Sequence, residues 1–319
     1  MTAGPTAELT FRKGEHSDLR VSFTLAEVAV HDTARRTGVL TTPPPSEEQI
    51  ERDWQKRRDL LEFTAAQDGG GFWVCEADDQ PVGYGRVCRF GQMEELTELM
   101  VLPEYHRNGI GRTLLERLWP NDPTPGLSRL VVAAGAPADL TLYADFGVMP
   151  VTGHWHMRAS AEEFRERRAQ EIDATDPPVH VLSPEHAVAE WKRLEPPAIG
   201  HQRPTLHDFF ARTRTCLATM DSSATKATAL CWVDSGGQVG PAVAATPQEL
   251  VPVVLQALDR VAMTRRHETL SIFCSTDSWR LLRRLRQLCF RVWWPSWVMC
   301  SVPLPGLDRY VPTRPPHLL

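Results

Sequence analysis

The feature that most constrains the fold of this chain is an internal repeat, since the same order of predicted strands and helices occurs twice in 319 residues. Shifted by 142 positions, Trp155 falls on Trp297 and Met157 on Met299. Identity between the halves is low, so a chance alignment of two ordinary α/β domains is the alternative. At about 150 residues per domain, the length itself agrees with two domains.

The division between the two copies is predicted from a change in composition. Residues 161–178 are rich in charge and then in proline, which is typical of a connector. We therefore expect a first domain over residues 1–160, a connector over residues 161–178 and a second domain over residues 179–319. Strands and helices alternate in both, which predicts an α/β fold class.

Composition and charge restrict the partners. Hydrophobic residues make up 42% and charged residues 24% of the chain, which excludes disorder as the main state. A net charge of -5 gives no electrostatic reason to expect a nucleic-acid or anionic-membrane partner. The sequence contains neither an apolar run of about 18 residues nor a signal-peptide pattern at its start. We expect a soluble, cytoplasmic protein whose oligomeric state is open.

Cysteine and histidine patterns argue against a metal site. The seven cysteines form no C-x-x-C pair and most lie in apolar segments, which is typical of reduced thiols in a core. His154 and His156 could place two imidazoles on one strand face, but no third ligand is evident. We expect no metal.

The most informative segment spans residues 98–118, where a predicted strand leads through a glycine loop into an amphipathic helix. Gly109 and Gly111 let the backbone approach a ligand without an interfering Cβ. The free N–H groups and the positive dipole end of a helix start favour phosphate. Arg107 and Arg112 add positive charge, so this segment is a candidate phosphate site.

This segment resembles the GNAT superfamily of acyl-CoA-dependent N-acyltransferases. The family pattern Arg/Gln-x-x-Gly-x-Gly/Ala is matched by residues 106–111, His-Arg-Asn-Gly-Ile-Gly, with His106 in place of the usual Arg or Gln. Residues 142–148, Leu-Tyr-Ala-Asp-Phe-Gly-Val, resemble the family's Leu-Tyr-x-x-x-Gly-Phe run. The resemblance covers residues 9–158 well and the second half by element order alone. Tandem members such as mycothiol synthase are similar in length and layout.

The resemblance implies an α+β fold with a mixed sheet, in which the fourth and fifth strands separate to hold the pantetheine arm of acetyl-CoA, the co-substrate. The implied acetyl-CoA contacts are the backbone of Met100, Val101 and Leu102 and the loop residues His106, Arg107, Asn108, Gly109, Ile110, Gly111 and Arg112.

The resemblance also implies a direct transfer of the acetyl group to a primary amine of a small molecule or peptide. Glu95 matches the family's strand-four glutamate, the base. Glu98 is the reserve candidate, on the opposite strand face if side chains alternate. Tyr143 fits the general acid that protonates the thiolate. The glutamates are equally consistent with a solvated edge, and Tyr143 with a core aromatic. A non-catalytic acyl-CoA-binding or sensor module is the rival function.

The second copy lacks the phosphate loop. At the corresponding place, residues 246–252 read Thr-Pro-Gln-Glu-Leu-Val-Pro, without glycine or cation, and Glu249 would repel a phosphate. We therefore expect a degenerate second domain and one acetyl-CoA per chain.

Two further groups are predicted surface features. Trp293, Trp294 and Trp297 are too many large rings to leave in water, so we expect an apolar partner surface to cover them. The basic groups at residues 56–58 and 265–267 are predicted to be solvated helix faces.

Overall fold

The computed structural model describes residues 8–36, 38, 43–120, 126–134, 136–171, 177–264 and 266–313. The chain divides into two compact units, Met1–Arg129 and Leu130–Leu319. This division differs from the predicted domain limits at residues 160 and 179, which stay a prediction. Residues 172–176 of the predicted connector lie outside the described part of the chain.

The first unit contains a four-stranded antiparallel sheet in the order β1-β2-β3-β4. Its elements are β1 (Leu9–Lys13), α1 (Asp18–Arg36), α2 (Glu47–Ala65), β2 (Gly71–Ala77), β3 (Gln80–Phe90), β4 (Met93–Val101) and α3 (Ile110–Leu118). Ser46 caps α2, because its hydroxyl accepts a hydrogen bond from the Gln49 N–H. Asp78 and Asp79 make the hairpin turn between β2 and β3 with φ of 49° and 60°.

Helices cover both faces of this sheet. On one face, Leu25 and Ala26 of α1 pack against Val74 and Tyr84. On the other face, α3 buries its apolar side against β2 and β3, with Ile110, Leu114, Cys75, Ala77 and Val82 in one cluster. The ends of β4 and α3 are thereby fixed, and the loop between them carries the candidate site.

The second unit begins within β5 and contains two sheets. Its elements are β5 (Ser128–Ala133), α4 (Pro137–Asp145), β6 (Met149–Ser160), α5 (Ala161–Ala169), β7 (Val179–Val181), α6 (Pro184–Leu194), α7 (Pro196–Ile199), α8 (Pro204–Thr213), β8 (Arg214–Met220), β9 (Ala227–Asp234), β10 (Val239–Ala244), α9 (Pro247–Met263), β11 (Thr269–Ser275), α10 (Trp279–Gln287), β12 (Arg291–Cys300) and β13 (Tyr310–Val311).

One sheet of this unit has the order β5-β12-β6-β11, and the other β13-β10-β9-β8-β7. In the first of these, β6 and β12 are corresponding strands of the two copies, and each lies beside strands of the other copy. His154 pairs in register with Ser296, its equivalent at an offset of 142. The β6–β12 strand pair is therefore symmetric about these two residues, which supports the correspondence of the two strands in the repeat.

The core of the second unit surrounds α9. Its members include Leu250, Val254, Leu258, Phe164 and Phe290. All seven cysteines are free and six are buried, as predicted for reduced thiols. Among the described residues, no helix is both long and apolar enough to span a membrane.

The expectation that the tryptophans of β12 are covered is wrong for two of them. Trp293 is 37% and Trp297 42% exposed. The guanidinium of Arg158 lies 4.3 Å from the centre of the Trp293 ring, so a cation covers part of this aromatic surface.

Candidate active site

The start of α3 is an open helix N-terminus. Residues 102–109 connect β4 to this helix, and they contain two left-handed residues, Arg107 with φ of 68° and Gly109 with φ of 76°. Gly109 is the N-cap residue and provides no side-chain cap, and the first turn carries no acidic residue. A Cβ at Gly109 would meet no protein atom within 4 Å, so its requirement for glycine lies in the backbone conformation.

The residues around this N-terminus are mostly exposed and include two arginines. His106, Arg107, Asn108, Gly109 and Arg112 are exposed. Ile110 is buried in the core below, so only its backbone can face a ligand. Left-handed turns followed by a helix start present several N–H groups to one anion, and the arginines favour the same charge. The loop therefore suits a phosphate or pyrophosphate group.

His106 has a role that its departure from the family pattern did not suggest. Its Nε2 donates a hydrogen bond to the Val101 carbonyl at 3.0 Å and ties the loop to the end of β4. The Leu102 N–H donates to the Val82 carbonyl, and the Leu102 carbonyl accepts from the Tyr105 N–H, both at 2.9 Å. Leu102 is one of three residues whose backbone is predicted to bind acetyl-CoA. Its N–H and its carbonyl are both already hydrogen-bonded within the protein.

A bulge in β4 changes which carboxylates share a face. Glu98 pairs in register with Arg86 and Glu95 with Cys88, because the register shifts between them. Arg86 and Cys88 are two residues apart and lie on one face of β3. The expectation that Glu98 faces the opposite side is therefore wrong, since the extra residue of the bulge returns it to the face of Glu95.

Glu98 is held in a buried polar cluster. Tyr84 Oη donates to Glu98 Oε1 at 3.0 Å, and Arg86 Nη2 donates to Glu98 Oε2. Burial lowers the pKa of Arg86 and raises that of Tyr84. Both carboxylate oxygens of Glu98 are engaged, which favours a structural role over proton transfer.

The other two carboxylates of β4 are also buried. Glu95 is 1% and Glu94 8% exposed, so neither forms the solvated edge that was the alternative. Arg129 Nε lies 3.6 Å from Glu94 Oε2, and burial, the largest influence, raises the pKa of Glu94.

Tyr143 lies on α4 in the second unit and is 7% exposed. Burial, aided by the charge of Asp139, raises its pKa well above the usual range, so the phenol stays protonated at neutral pH. The Tyr143 carbonyl accepts from the Val148 N–H at 3.1 Å, and Gly147 with φ of 76° allows this helix end. The glycine of the second motif therefore terminates α4.

The two histidines of β6 pack against an aromatic ring. Their ring centres lie 5.2 Å (His154) and 4.4 Å (His156) from that of Phe273, and the planes are stacked. In the described part of the chain, no group of three His, Cys, Asp or Glu residues could hold a metal ion.

Comparisons with known proteins agree with this geometry. The sequence model described as "Acetyltransferase (GNAT) domain" matches residues 68–147, which include the phosphate loop and Tyr143. No curated protein sequence matches this chain.

Three solved structures share the fold over nearly the whole chain. A protein from Pyrococcus horikoshii assigned to the acetyltransferases is 16% identical, with 97% of this chain and 95% of that one covered, at a TM-score of 0.69. A tandem GNAT protein from the clavulanic acid biosynthesis pathway is 17% identical, with 93% and 99% covered, at 0.59. A GCN5-related N-acetyltransferase from Sphaerobacter thermophilus is 16% identical, with 94% and 97% covered, at 0.57.

These matches confirm the predicted fold class, whereas the layout of mycothiol synthase stays a prediction. The family match and the open start of α3 concern the same residues, and the fold matches cover both copies. Residues 68–147 therefore match the family model of a GNAT acetyltransferase domain, and the chain as a whole shares the fold of these three structures.

Proposed function

We propose that this protein is an N-acetyltransferase that transfers the acetyl group of acetyl-CoA to a primary amine of a small molecule or peptide. The observation that carries the proposal is the open N-terminus of α3. It combines left-handed Gly109, exposed arginines and a first turn without acidic side chains. A helix start of this kind favours the pyrophosphate of a CoA thioester.

The acetyl-CoA contacts follow from the same geometry. The backbone of residues 107–112 and the side chains of Arg107 and Arg112 are proposed to hold the pyrophosphate. The backbone of Met100 and Val101 is proposed to bind the pantetheine arm. Since both backbone groups of Leu102 bond within the protein, Leu102 is the weakest of the predicted contacts.

Glu95 is the proposed base. The attacking amine must lose a proton as the C–N bond forms and the C–S bond of the thioester breaks. Glu98 is less suited to accept this proton, because Arg86 and Tyr84 occupy both of its oxygens. Glu95 lies on the same strand face and takes the proton either directly or through water.

Tyr143 is the proposed general acid. The departing CoA thiolate needs a proton, and a phenol can supply one only while it is protonated. Burial keeps the pKa of Tyr143 high, so the proton is present throughout the neutral range. This property does not distinguish an acid from a core aromatic, and substitution is needed to separate them.

The test is an assay of thiol release from acetyl-CoA with a panel of primary amines. We expect at least one amine to release CoA thiol in a reaction that forms its N-acetyl product. Acetyl-CoA binding without turnover of any amine would instead support the rival, a non-catalytic acyl-CoA-binding or sensor module. A chain that does not bind acetyl-CoA would exclude both functions.

A further inference from the structure

A cavity of about 430 Å³ lies in the second unit and is lined by an unusual number of cations. Its charged and titratable lining residues are four arginines, one histidine and one carboxylate: Arg212, Arg214, Arg260, Arg266, His267 and Asp234. This volume is within the range of small-molecule sites, about 300–1,000 Å³.

Four separate elements bring these residues together. Arg212 lies in the last turn of α8, Arg214 begins β8 and Arg260 lies in the last turn of α9. Arg266 and His267 follow α9, which ends at Met263. The prediction of a solvated helix face at residues 265–267 is therefore wrong about the helix, although Arg266 is exposed as predicted, and Arg265 lies outside the described residues.

A purely structural explanation covers only part of this cluster. Arginines in the last turn of a helix offset the negative end of its dipole, which accounts for Arg212 and Arg260. Arg214 and Arg266 are not in helices, so this explanation does not extend to them.

Arg214 gives the strongest evidence for an anion site. Its guanidinium lies 4.0 Å from the centre of the Phe210 ring, and Nη1 donates to the Gly240 carbonyl at 2.5 Å. Burial lowers the pKa of Arg214 to about 10. Among the described residues, no carboxylate forms an ion pair with Arg214, although the charge of its cross-strand neighbour Asp234 acts to raise its pKa.

Arg214 is half-buried, and the more deeply buried arginines of this chain have carboxylate partners. Arg86 pairs with Glu98, and Arg203 pairs with Glu195 at 2.6 Å. A desolvated guanidinium is costly without such a partner. Arg214 lines the cavity instead, so an anion in the cavity would supply the missing charge.

The single carboxylate of the cavity already has a structural task. Asp234 Oδ1 accepts a hydrogen bond from the Gln238 N–H at 2.8 Å and fixes the turn between β9 and β10. Its charge offsets only one of the four guanidinium groups.

We propose that this cavity is a binding site for a phosphate group, either free or esterified to a small molecule. The planar guanidinium matches phosphate oxygens with paired hydrogen bonds, and a phosphate dianion balances several cations at once. The cavity is at the C-terminal end of α9, a helix of 17 residues, or about 25 Å long. It is therefore separate from the N-terminal end of α9, where a second acetyl-CoA loop would lie.

The experiment is a calorimetric titration of the full-length protein with three probes: inorganic phosphate, glucose 6-phosphate and AMP. The protein carries Gly111→Glu, which blocks the loop before α3, so that phosphate bound at that loop is not mistaken for phosphate bound in the cavity. We expect one site per chain, with an affinity that decreases as ionic strength rises. Tighter binding of an ester than of inorganic phosphate would identify an esterified ligand, and equal affinity would identify the free anion.

The variant that tests the location is Arg212→Gln combined with Arg260→Gln. Both side chains are exposed, so the fold should not change. We expect affinity to fall by about tenfold or more for two lost charge-assisted contacts. Arg283→Gln, at an exposed position on α10, removes charge elsewhere and should leave the affinity unchanged.

Two results would overturn the proposal. One is the absence of binding by all three probes. The other is an equal loss of affinity in the Arg283→Gln protein, which would show a general response to net charge. Neither result depends on acetyltransferase activity, so this proposal and the proposed function can fail separately.

Discussion

The junctions between strand and helix in the two copies show how the same fold can retain or lose a ligand site. In the first copy, residues 102–109 separate β4 from α3 and expose the helix start. In the second copy, only residues 245 and 246 separate β10 from α9. The segment that the sequence analysis aligned with the phosphate loop, residues 246–252, is therefore the cap and the first turns of a helix.

The helix starts also differ in charge. Neither N-cap residue, Gly109 before α3 or Thr246 before α9, provides a side-chain cap. The first turn of α9 carries Glu249, whose Oε2 accepts a hydrogen bond from Thr246 Oγ1 at 2.8 Å, whereas the first turn of α3 carries no acidic residue. A carboxylate of the protein itself thus lies at the positive end of α9, where a phosphate would otherwise be attracted.

The strands before these helices also differ in polarity. β4 carries three buried glutamates, Glu94, Glu95 and Glu98, whereas every residue of β10 is apolar and buried. The second copy has neither an open helix start nor a carboxylate at this strand. In the second copy, a carboxylate at the helix start and a fully packed strand thus replace the features that form the site in the first copy.

The largest expected effect is on acetyl-CoA binding, which should require the start of α3 but not the start of α9. Gly111→Glu should abolish acetyl-CoA binding, because it adds bulk and negative charge at the start of α3. Wild type should bind one acetyl-CoA per chain by calorimetry. Gln248→Glu adds the same charge to the first turn of α9 at an exposed position and should leave binding intact. A second site in wild type, or full binding by folded Gly111→Glu protein, would contradict the comparison.

The next prediction concerns stability. Glu98→Gln breaks the buried pair with Arg86 and should lower the free energy of unfolding by about 3–5 kcal/mol. Glu249→Gln alters only a helix-start contact and should cost less than about 1 kcal/mol. Urea denaturation of both variants measures the difference. Equal, small losses would mean that Glu98 is not held as a buried ion pair.

Turnover should depend on the tyrosine of one copy only. Tyr143→Phe should lower kcat by about 10²-fold, the usual size for a lost general acid, with little change in acetyl-CoA affinity. Tyr310→Phe removes the phenol that contacts buried Arg203 in the second copy. It should cost about 1–3 kcal/mol of stability and leave kcat unchanged below the unfolding temperature. If Tyr143→Phe behaves like Tyr310→Phe while chemistry limits the rate, Tyr143 is a packing residue.

The smallest expected effect is on the pH dependence of stability. It arises at His154, which pairs with its equivalent in the second copy, Ser296. Burial lowers the pKa of His154 from 6.5 to about 3. Between these pH values the unfolded chain binds a proton that the folded protein excludes, so stability falls as pH decreases below about 6.5. The contribution is at most about 1.4 kcal/mol per pH unit.

His154→Asn should remove this contribution while an amide replaces the contact to Ser296. Urea midpoints at pH 7.5 and pH 5 should therefore differ less in this variant than in wild type. His180→Asn, at an exposed position, is the control and should keep the wild-type difference. An unchanged difference in His154→Asn would show that His154 is not held neutral by burial.

The sequence determined the features that depend on neighbours along the chain. Ser46 and Gln49 marked the start of α2, Asp78 and Asp79 the hairpin turn, and Gly109 the loop before α3. These are local patterns, because caps and turns involve residues only a few positions apart. The repeat was detectable for the same reason, since corresponding residues have corresponding local surroundings.

The tertiary structure decided what depends on residues far apart in the chain. The placement of β12 between β5 and β6 joins segments more than 100 residues apart, and no local pattern predicts such a partner. The bulge in β4 is a property of its pairing with β3, so it moved Glu98 to the face of Glu95 against the simple alternation. Arg266 and His267 became part of a cavity only because α8, β8 and α9 converge there. Sequence patterns specify how each element forms, whereas the packing of distant elements determines which side chains meet.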